Sequence, residues 1–433
     1  MKRRSFIKKT GLAAGAAIAA PYILPSGRLF AQSGSRMADH VILAMYGGGI
    51  RQQESILQRY LDDSQGLPIP GNIMINMFNG QQPEDKIVYG DDGFLPGDTP
   101  KPMVLGDTIQ NMGTTFREMR ATAAGHYNGF LTMLLGNTNF AQALRERPLS
   151  PTIFEYLRRH TGEKASKVWF VGESINNSTP LMNASSHRDY GIKYGANFFA
   201  PPTTFGTPGK NTFNQDIIFH PEEEMEHIYK MKYFMDNYYR NLGGYIDDLG
   251  STPDEKYQVK QFMQELYDFN QGGSTVDCTK RILKEFKPTL LAFNLSSGVD
   301  GCHGNFTNYL RGIHTGDNWV AQIWKYVQEE IPEMSGNTIM IICPEHGRDL
   351  NPNPVFDQND WFGYDHGDAN TRRIFAQMIG KGVPAGLEVG NENNPIGLSA
   401  DCCLTVADIL GIKQEVRNAG HVRGDSQSLF DRI

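Results

Sequence analysis

Asn337-Thr-Ile-Met-Ile-Ile-Cys343-Pro344-Glu345-His346-Gly347-Arg348-Asp349 decides how this chain is read. Its first half is an unbroken apolar run of strand length, too short for a helix and bounded by Gly336 and Pro344. A strand that is apolar at every position is buried on both faces, the situation of a central parallel strand rather than one with a wet face. Its second half is a burst of ionisable side chains where the strand stops. In open parallel sheets, ligands collect at the carboxyl ends of the strands. The stretch therefore predicts both an α/β sheet and a candidate site at its edge.

Working outward, the same pattern recurs. His40–Tyr46 is an apolar run closed by Gly47-Gly-Gly49, and Lys167–Gly172 and Thr289–Leu295 read as further strands. Arg373–Ile379 reads as a fifth. Helices are expected over 127–135, over 151–160 with Pro151 in its first turn and Gly162 past its end, over 317–331 and over 400–410. Strands separated by helices argue for a largely parallel sheet. Residues 173–285 break the rhythm: a stretch rich in Asn, Ser, Thr, Pro and Gly is followed by charged segments of helical character at 220–239 and 254–269. They read as an insertion or cap over a core made of 32–172 and 286–433.

The N-terminus carries Met1-Lys-Arg-Arg-Ser-Phe-Ile-Lys-Lys9 before an alanine-rich apolar stretch from Gly11 to Leu24, the form of a twin-arginine export signal. Residues 1–31 are read as that signal, with cleavage after Ala31 and delivery to the periplasm or the extracellular space; the alternative is an N-terminal membrane anchor. Beyond Leu24 no apolar run is long enough to span a bilayer, so no transmembrane helix is expected in the mature chain. Removing the signal takes six basic and no acidic residues, leaving 35 Lys+Arg against 48 Asp+Glu, a net charge of −13. That balance argues against nucleic acid and against anionic membrane as partners. The cysteines, Cys278, Cys302, Cys343, Cys402 and Cys403, are odd in number and include no Cys-x-x-Cys pair; a Cys278–Cys302 bond is possible but unsupported by spacing.

Clusters of chemistry-bearing residues follow the expected strands: Gly47-Gly-Gly-Ile-Arg51, Ser296-Ser-Gly-Val-Asp300-Gly-Cys-His303 and Pro344–Asp349, with Tyr364-Asp365-His366-Gly367-Asp368 some twenty residues later. Imidazole nitrogens and carboxylate oxygens are the donors that hold zinc, manganese or similar ions. A single Asp-His pair is usually a solvated loop, and Asp300 could instead cap a helix; convergence at one sheet edge is what points to a metal. Arg51 and Arg348 could bind a sulfate or phosphate, or form structural ion pairs. His187-Arg188-Asp189 could touch substrate or be solvated loop, His314 and Asp317 could flank the site or cap the following helix, and Trp361, Phe362 and Tyr364 could line the cleft or pack the loop.

An Asp-x-x-His after one strand (Asp300, His303), an acid-His-Gly after the next (Glu345, His346) and a later Asp-His-Gly (Asp365, His366) resemble the ligand pattern of the alkaline phosphatase superfamily, which includes sulfatases and nucleotide pyrophosphatases. Met45-Tyr-Gly-Gly-Gly49, Gly125-His126 before Leu135-Gly136, Val299-Asp300-Gly-Cys-His303, Glu345-His-Gly-Arg348 and Asp365-His366 are similar to an uncharacterised, sulfatase-like, Tat-exported bacterial family, and Val406-Ala-Asp408-Ile-Leu-Gly411 looks like the superfamily's last helix. The resemblance covers roughly 38–160 and 289–412. It implies an alkaline-phosphatase-like three-layer sandwich. It also implies a metal-dependent hydrolase of a phosphate or sulfate ester, acting on a small anionic ester or a polysaccharide-like substrate. The cofactor would be a divalent cation, zinc first, with calcium or manganese as alternatives. By the same resemblance Asp300, His303 and His366 hold one ion, and Glu345 and His346 help hold a second. The chain departs from the pattern in two places. Tyr46 or Gly47 stands where the first strand ends in a metal-binding Asp, and His126 falls where a Ser, Thr or formylglycine nucleophile is expected. His126 is thus a further ligand, a general base or a structural residue at a helix start; Thr122 is a displaced nucleophile candidate, and Arg348 a candidate for substrate contact. A catalytically degenerate member that binds a ligand or partner at the cell envelope is the alternative.

Overall fold

The computed structural model describes residues 34–59, 69–83, 101–140, 147–172, 181–199, 275–295 and 298–433. The expected signal at 1–31 and the helical segments expected at 220–239 and 254–269 lie outside the described residues. Eight strands form one sheet: β1 (His40–Tyr46), β2 (Thr114–Arg120), β3 (Val168–Gly172), β4 (Asn197–Phe199), β5 (Leu290–Leu295), β6 (Thr338–Pro344), β7 (Arg373–Gly380) and β8 (Leu387–Val389). Their order is β4-β3-β5-β1-β6-β7-β2-β8. Every neighbouring pair is parallel except those that β7 makes with β6 and β2. β7 alone therefore runs against the rest, and the loop that precedes it reaches the same edge as the carboxyl ends of the others.

β5 and β6 are buried at every position, as their continuous apolar sequence requires. Helices α1 (His126–Leu135), α2 (Ile153–Thr161) and α5 (Asp401–Ile409) pack on one another, and α3 (Thr275–Phe286) packs on α4 (Phe306–Glu330). With the central strands covered on both faces, the molecule is a three-layer α/β sandwich with a largely parallel sheet. Burying each Ile or Leu of these strands contributes about 1.5–3 kcal/mol. Among the described residues no helix is long and apolar enough to cross a membrane.

Three details differ from the sequence reading. The described flanks of 173–285 join the core: β4 pairs with β3 at the sheet edge, and α3 packs on α4. The helix expected from 317 starts at Phe306, capped by Asn305, whose side chain accepts from the Asn308 N–H. Asp317 is consequently mid-helix and buried; its carboxylate accepts from the backbone N–H groups of Asn76 and Met77 and from the Asn76 side chain. Last, all five cysteines are buried and Cys302 is a free thiol, so Cys278 and Cys302 are not bonded to each other.

Candidate metal centre

The carboxyl ends of β1, β5 and β6 deliver three loops to one place, and the glycines after β1 let them close. Gly48 (φ 89°) and Gly49 (φ 77°) sit in the left-handed region, where a side chain is strained. A Cβ on Gly48 would run into the backbone of Val299 and Asp300, and one on Gly49 into the His346 ring and the Gly347 carbonyl. Tyr46, at the position where the resemblance expects an acid, is buried with its ring against Gly316 and its hydroxyl 3.8 Å from Met77 Sδ.

Four imidazoles gather at this edge. His126, His303 and His366 form one group whose ligand atoms all lie within 4.8 Å of one another; His126, Glu345 and His346 form a second. Ring centroids of His126 are 4.9 Å from those of both His346 and His366. His126 opens α1, following the uncapped Gly125. Its Nε2 donates to Asp300 Oδ1 (2.9 Å) and its Nδ1 to Glu345 Oε1 (2.6 Å). Glu345, fully buried, also accepts from the Gly48 N–H at 2.6 Å, but its Oε2 has no hydrogen-bond partner.

Two of the other rings are held in ligand-ready tautomers. His303 Nδ1 donates to Asp365 Oδ1 (2.6 Å) and His346 Nδ1 to the Gly347 carbonyl (2.6 Å), which leaves a lone pair on each Nε2. Arg348, fully buried, spans the site: Nη2 donates to Asp300 Oδ1 (3.1 Å), Nε to the Gly48 carbonyl (2.6 Å) and Nη1 to the Tyr364 carbonyl (3.1 Å). Asp349 pins the loop that carries His366, accepting from Gly367 N–H (2.6 Å), Asp368 N–H (2.7 Å) and the Thr371 hydroxyl (2.8 Å).

The electrostatics follow from burial and these partners. Burial pulls the His126 ring down, but its hydrogen bonds to Asp300 and Glu345 outweigh that and raise it to about 9. The bond from His126, reinforced by Arg348, holds Asp300 well below the usual carboxylate range. Burial pushes Glu345 up, against the pull of His126. Burial, then the His126 charge, drives His346 well down; burial, then Arg348, lowers His366. Neutral imidazoles are the form that binds a metal.

The residues singled out by sequence thus fall into two sets. His126, Asp300, His303, Glu345, His346, Arg348 and His366 come together. Thr122 pairs instead with Ser399, hydroxyl to hydroxyl at 3.2 Å, and its carbonyl accepts from Arg372. Arg51 is not available for an anion: fully buried, it forms a two-pronged pair with Glu54 and lies over the Tyr364 ring at 3.6 Å. His314 is buried on the Ile73 carbonyl. His187 stands against His421, 4.8 Å between centroids. The orienting role of Asp365 was not assigned from sequence, although its place beside His366 was the available signal.

No family model and no curated protein matches the chain. Solved structures similar to it include a protein in the alkaline phosphatase superfamily from Vibrio parahaemolyticus, 12% identical with a TM-score of 0.41 over 90% of this chain and 71% of that one. Another is the lipoteichoic acid synthase LtaP from Listeria monocytogenes, 11% identical, TM-score 0.40, over 96% and 80%. A third is an alkaline phosphatase with Mg bound, 10% identical, TM-score 0.42, over 88% and 99%. At these values the likeness carries neither activity nor substrate over to this chain.

Proposed function

We propose that the chain is an exported, metal-dependent hydrolase of a phosphate or sulfate ester, of the alkaline phosphatase superfamily type its motifs resemble. The observation that carries this reading is the convergence of His126, His303 and His366 beside Asp300 at the carboxyl edge of a parallel sheet. The donor set fits a divalent cation. Histidine nitrogen with carboxylate oxygen suits zinc or manganese, whereas calcium prefers a shell of oxygens. The buried, partnerless Glu345 Oε2 supports the same fit, because an isolated carboxylate oxygen away from water is costly unless something binds it.

A cation held there would supply Lewis-acid charge to an ester oxygen and acidify a water. The protein's own part is positional. Asp365 fixes the tautomer of His303, and the Gly347 carbonyl fixes that of His346. Arg348 holds Asp300 against the Gly48 and Tyr364 carbonyls; this committed, buried guanidinium supports a positioning role over direct substrate contact. The substrate class that fits is a small anionic ester or a sulfated or phosphorylated saccharide.

One observation favours a second reading, a binder without turnover: Tyr46, buried against Gly316, stands where the resemblance expects the metal-binding acid of the first strand. An aryl phosphate and aryl sulfate screen of the purified mature chain separates the two. Hydrolysis that a chelator abolishes and zinc or manganese restores is the expected result. A metal-loaded protein inert on both ester classes supports the binder, and activity unmoved by chelator contradicts metal dependence.

A further inference from the structure

His126 belongs to both ligand groups, and its two ring nitrogens face different partners. Nδ1 faces Glu345 Oε1 at 2.6 Å and His346 Nε2 at 3.1 Å, and these two partners are 3.5 Å apart. Nε2 faces Asp300 Oδ1 at 2.9 Å, and His303 Nε2 lies 3.9 Å from that same oxygen. The two nitrogens of an imidazole point away from one another, so one ring can serve two ions and neither need displace the other. The groups differ in setting. The first is half-buried, while Glu345 and His346 in the second are fully buried.

A second feature, independent of the spacing, points to a ligand in the deeper group. Glu345 Oε2 is buried and has no partner, although its neighbours are engaged: His346 Nδ1 donates to the Gly347 carbonyl, and Asp349 accepts from the following loop. Native structures retain such an orphan where an ion or a reacting group completes it.

We propose that His126 is a bridging ligand in a two-cation centre. One cation sits on Nε2 with Asp300, His303 and His366, the other on Nδ1 with Glu345 and His346. Both protons of the ring then pass to solvent, and the imidazolate contributes one negative charge between the ions. In this arrangement neither ring nitrogen is free to act as a base, which removes His126 from the general-base role open to it on sequence. The proposal rests on the metal reading above, with its two ligand sets, and adds one thing to it: that His126 joins the two ions.

The test uses the mature chain, stripped with chelator and reloaded. Zinc by elemental analysis is expected at two per chain, and cobalt(II) or copper(II) substituted at both positions should show the magnetic coupling of ions that share a ring. His126→Ala and His126→Gln, checked for folding by circular dichroism, should bind the second equivalent at least 100-fold more weakly and lose the coupling. One ion per chain, or two ions with the signals of isolated centres, would overturn the bridge and leave the hydrolase reading standing. No bound metal at all would overturn both.

Discussion

Glu155 and Glu345 are both fully buried carboxylates, and the protein treats them oppositely. Glu155 caps α2. Its Oε2 accepts from the Thr152 N–H (2.7 Å), the Thr152 hydroxyl (2.9 Å) and the Ser185 N–H (2.9 Å), and its Oε1 from the Ser185 hydroxyl (2.6 Å). Every donor is neutral and both oxygens are satisfied, so the group ties the 181–199 segment to a helix start. Glu345 is bonded through one oxygen to Gly48 and His126 and keeps the other unmatched. A polar network that is complete specifies structure; one left incomplete next to three other ionisable side chains specifies a ligand. The comparison teaches that burial alone does not mark a functional acid, whereas burial without a partner does.

The comparison breaks most visibly if Glu155 proves dispensable. Glu155→Ala strands several buried donors and should lower stability by about 3 kcal/mol, read from the denaturant midpoint; a loss under about 1 kcal/mol would remove the distinction. A pH series sharpens it. Burial raises Glu155, and likewise Asp317, to about 7 in the folded chain. An acid whose folded value lies above its unfolded value binds more protons when folded, so its contribution is fully present below about pH 4.5 and is lost as pH rises through 7. Stability should fall by roughly 2–3 kcal/mol per group between pH 5 and 8, about 5 kcal/mol for the two together, and Glu155→Gln should remove about half of that slope. On the other side of the comparison, Asp365→Asn leaves the fold intact but releases the His303 tautomer. Zinc affinity should drop about 10–100-fold by equilibrium dialysis, and an unchanged affinity would mean that His303 is not a ligand. The smallest effect is expected at Thr122, whose hydroxyl is engaged by Ser399: Thr122→Val should change kcat by less than about threefold, whereas loss of turnover would reinstate it as the nucleophile.

Much of the fold was legible because β1, β3, β5, β6 and β7 are apolar runs of strand length. β2 was not, since Thr114–Arg120 carries Arg117, Glu118 and Arg120. Its charges are absorbed laterally: Glu118 is buried and paired with Arg120 and, at 2.9 Å, with Arg373 on β7. The first half of α4 was hidden by Gly312, His314, Gly316 and Asp317, residues that weaken a helical pattern. Gly316 is there because the Tyr46 ring leaves no room for a Cβ, and Asp317 because it holds the 76–77 turn. At the site, residue types and their place after strands were enough to single out Asp300, His303, Glu345, His346 and His366. Orientation is not written in spacing, which is why the roles of Asp365 and Asp349 and the double engagement of His126 needed coordinates. Of the two readings open for Arg51, anion ligand or structural ion pair, coordinates were needed to choose the second: Glu54 occupies it.

The central claim is that Glu345 is kept for a cation and not for the fold. Chemical unfolding of the wild type and Glu345→Gln, each with and without zinc, tests it most directly, because glutamine retains the acceptor for the Gly48 N–H while removing the orphan charge. Without metal the variant should be at least as stable as the wild type. With zinc at about 100 times its Kd, the wild type should gain about 2.7 kcal/mol for each ion bound, and the variant distinctly less. A wild type whose midpoint zinc does not move, or a variant that is several kcal/mol less stable without metal yet responds to zinc as the wild type does, would contradict the account.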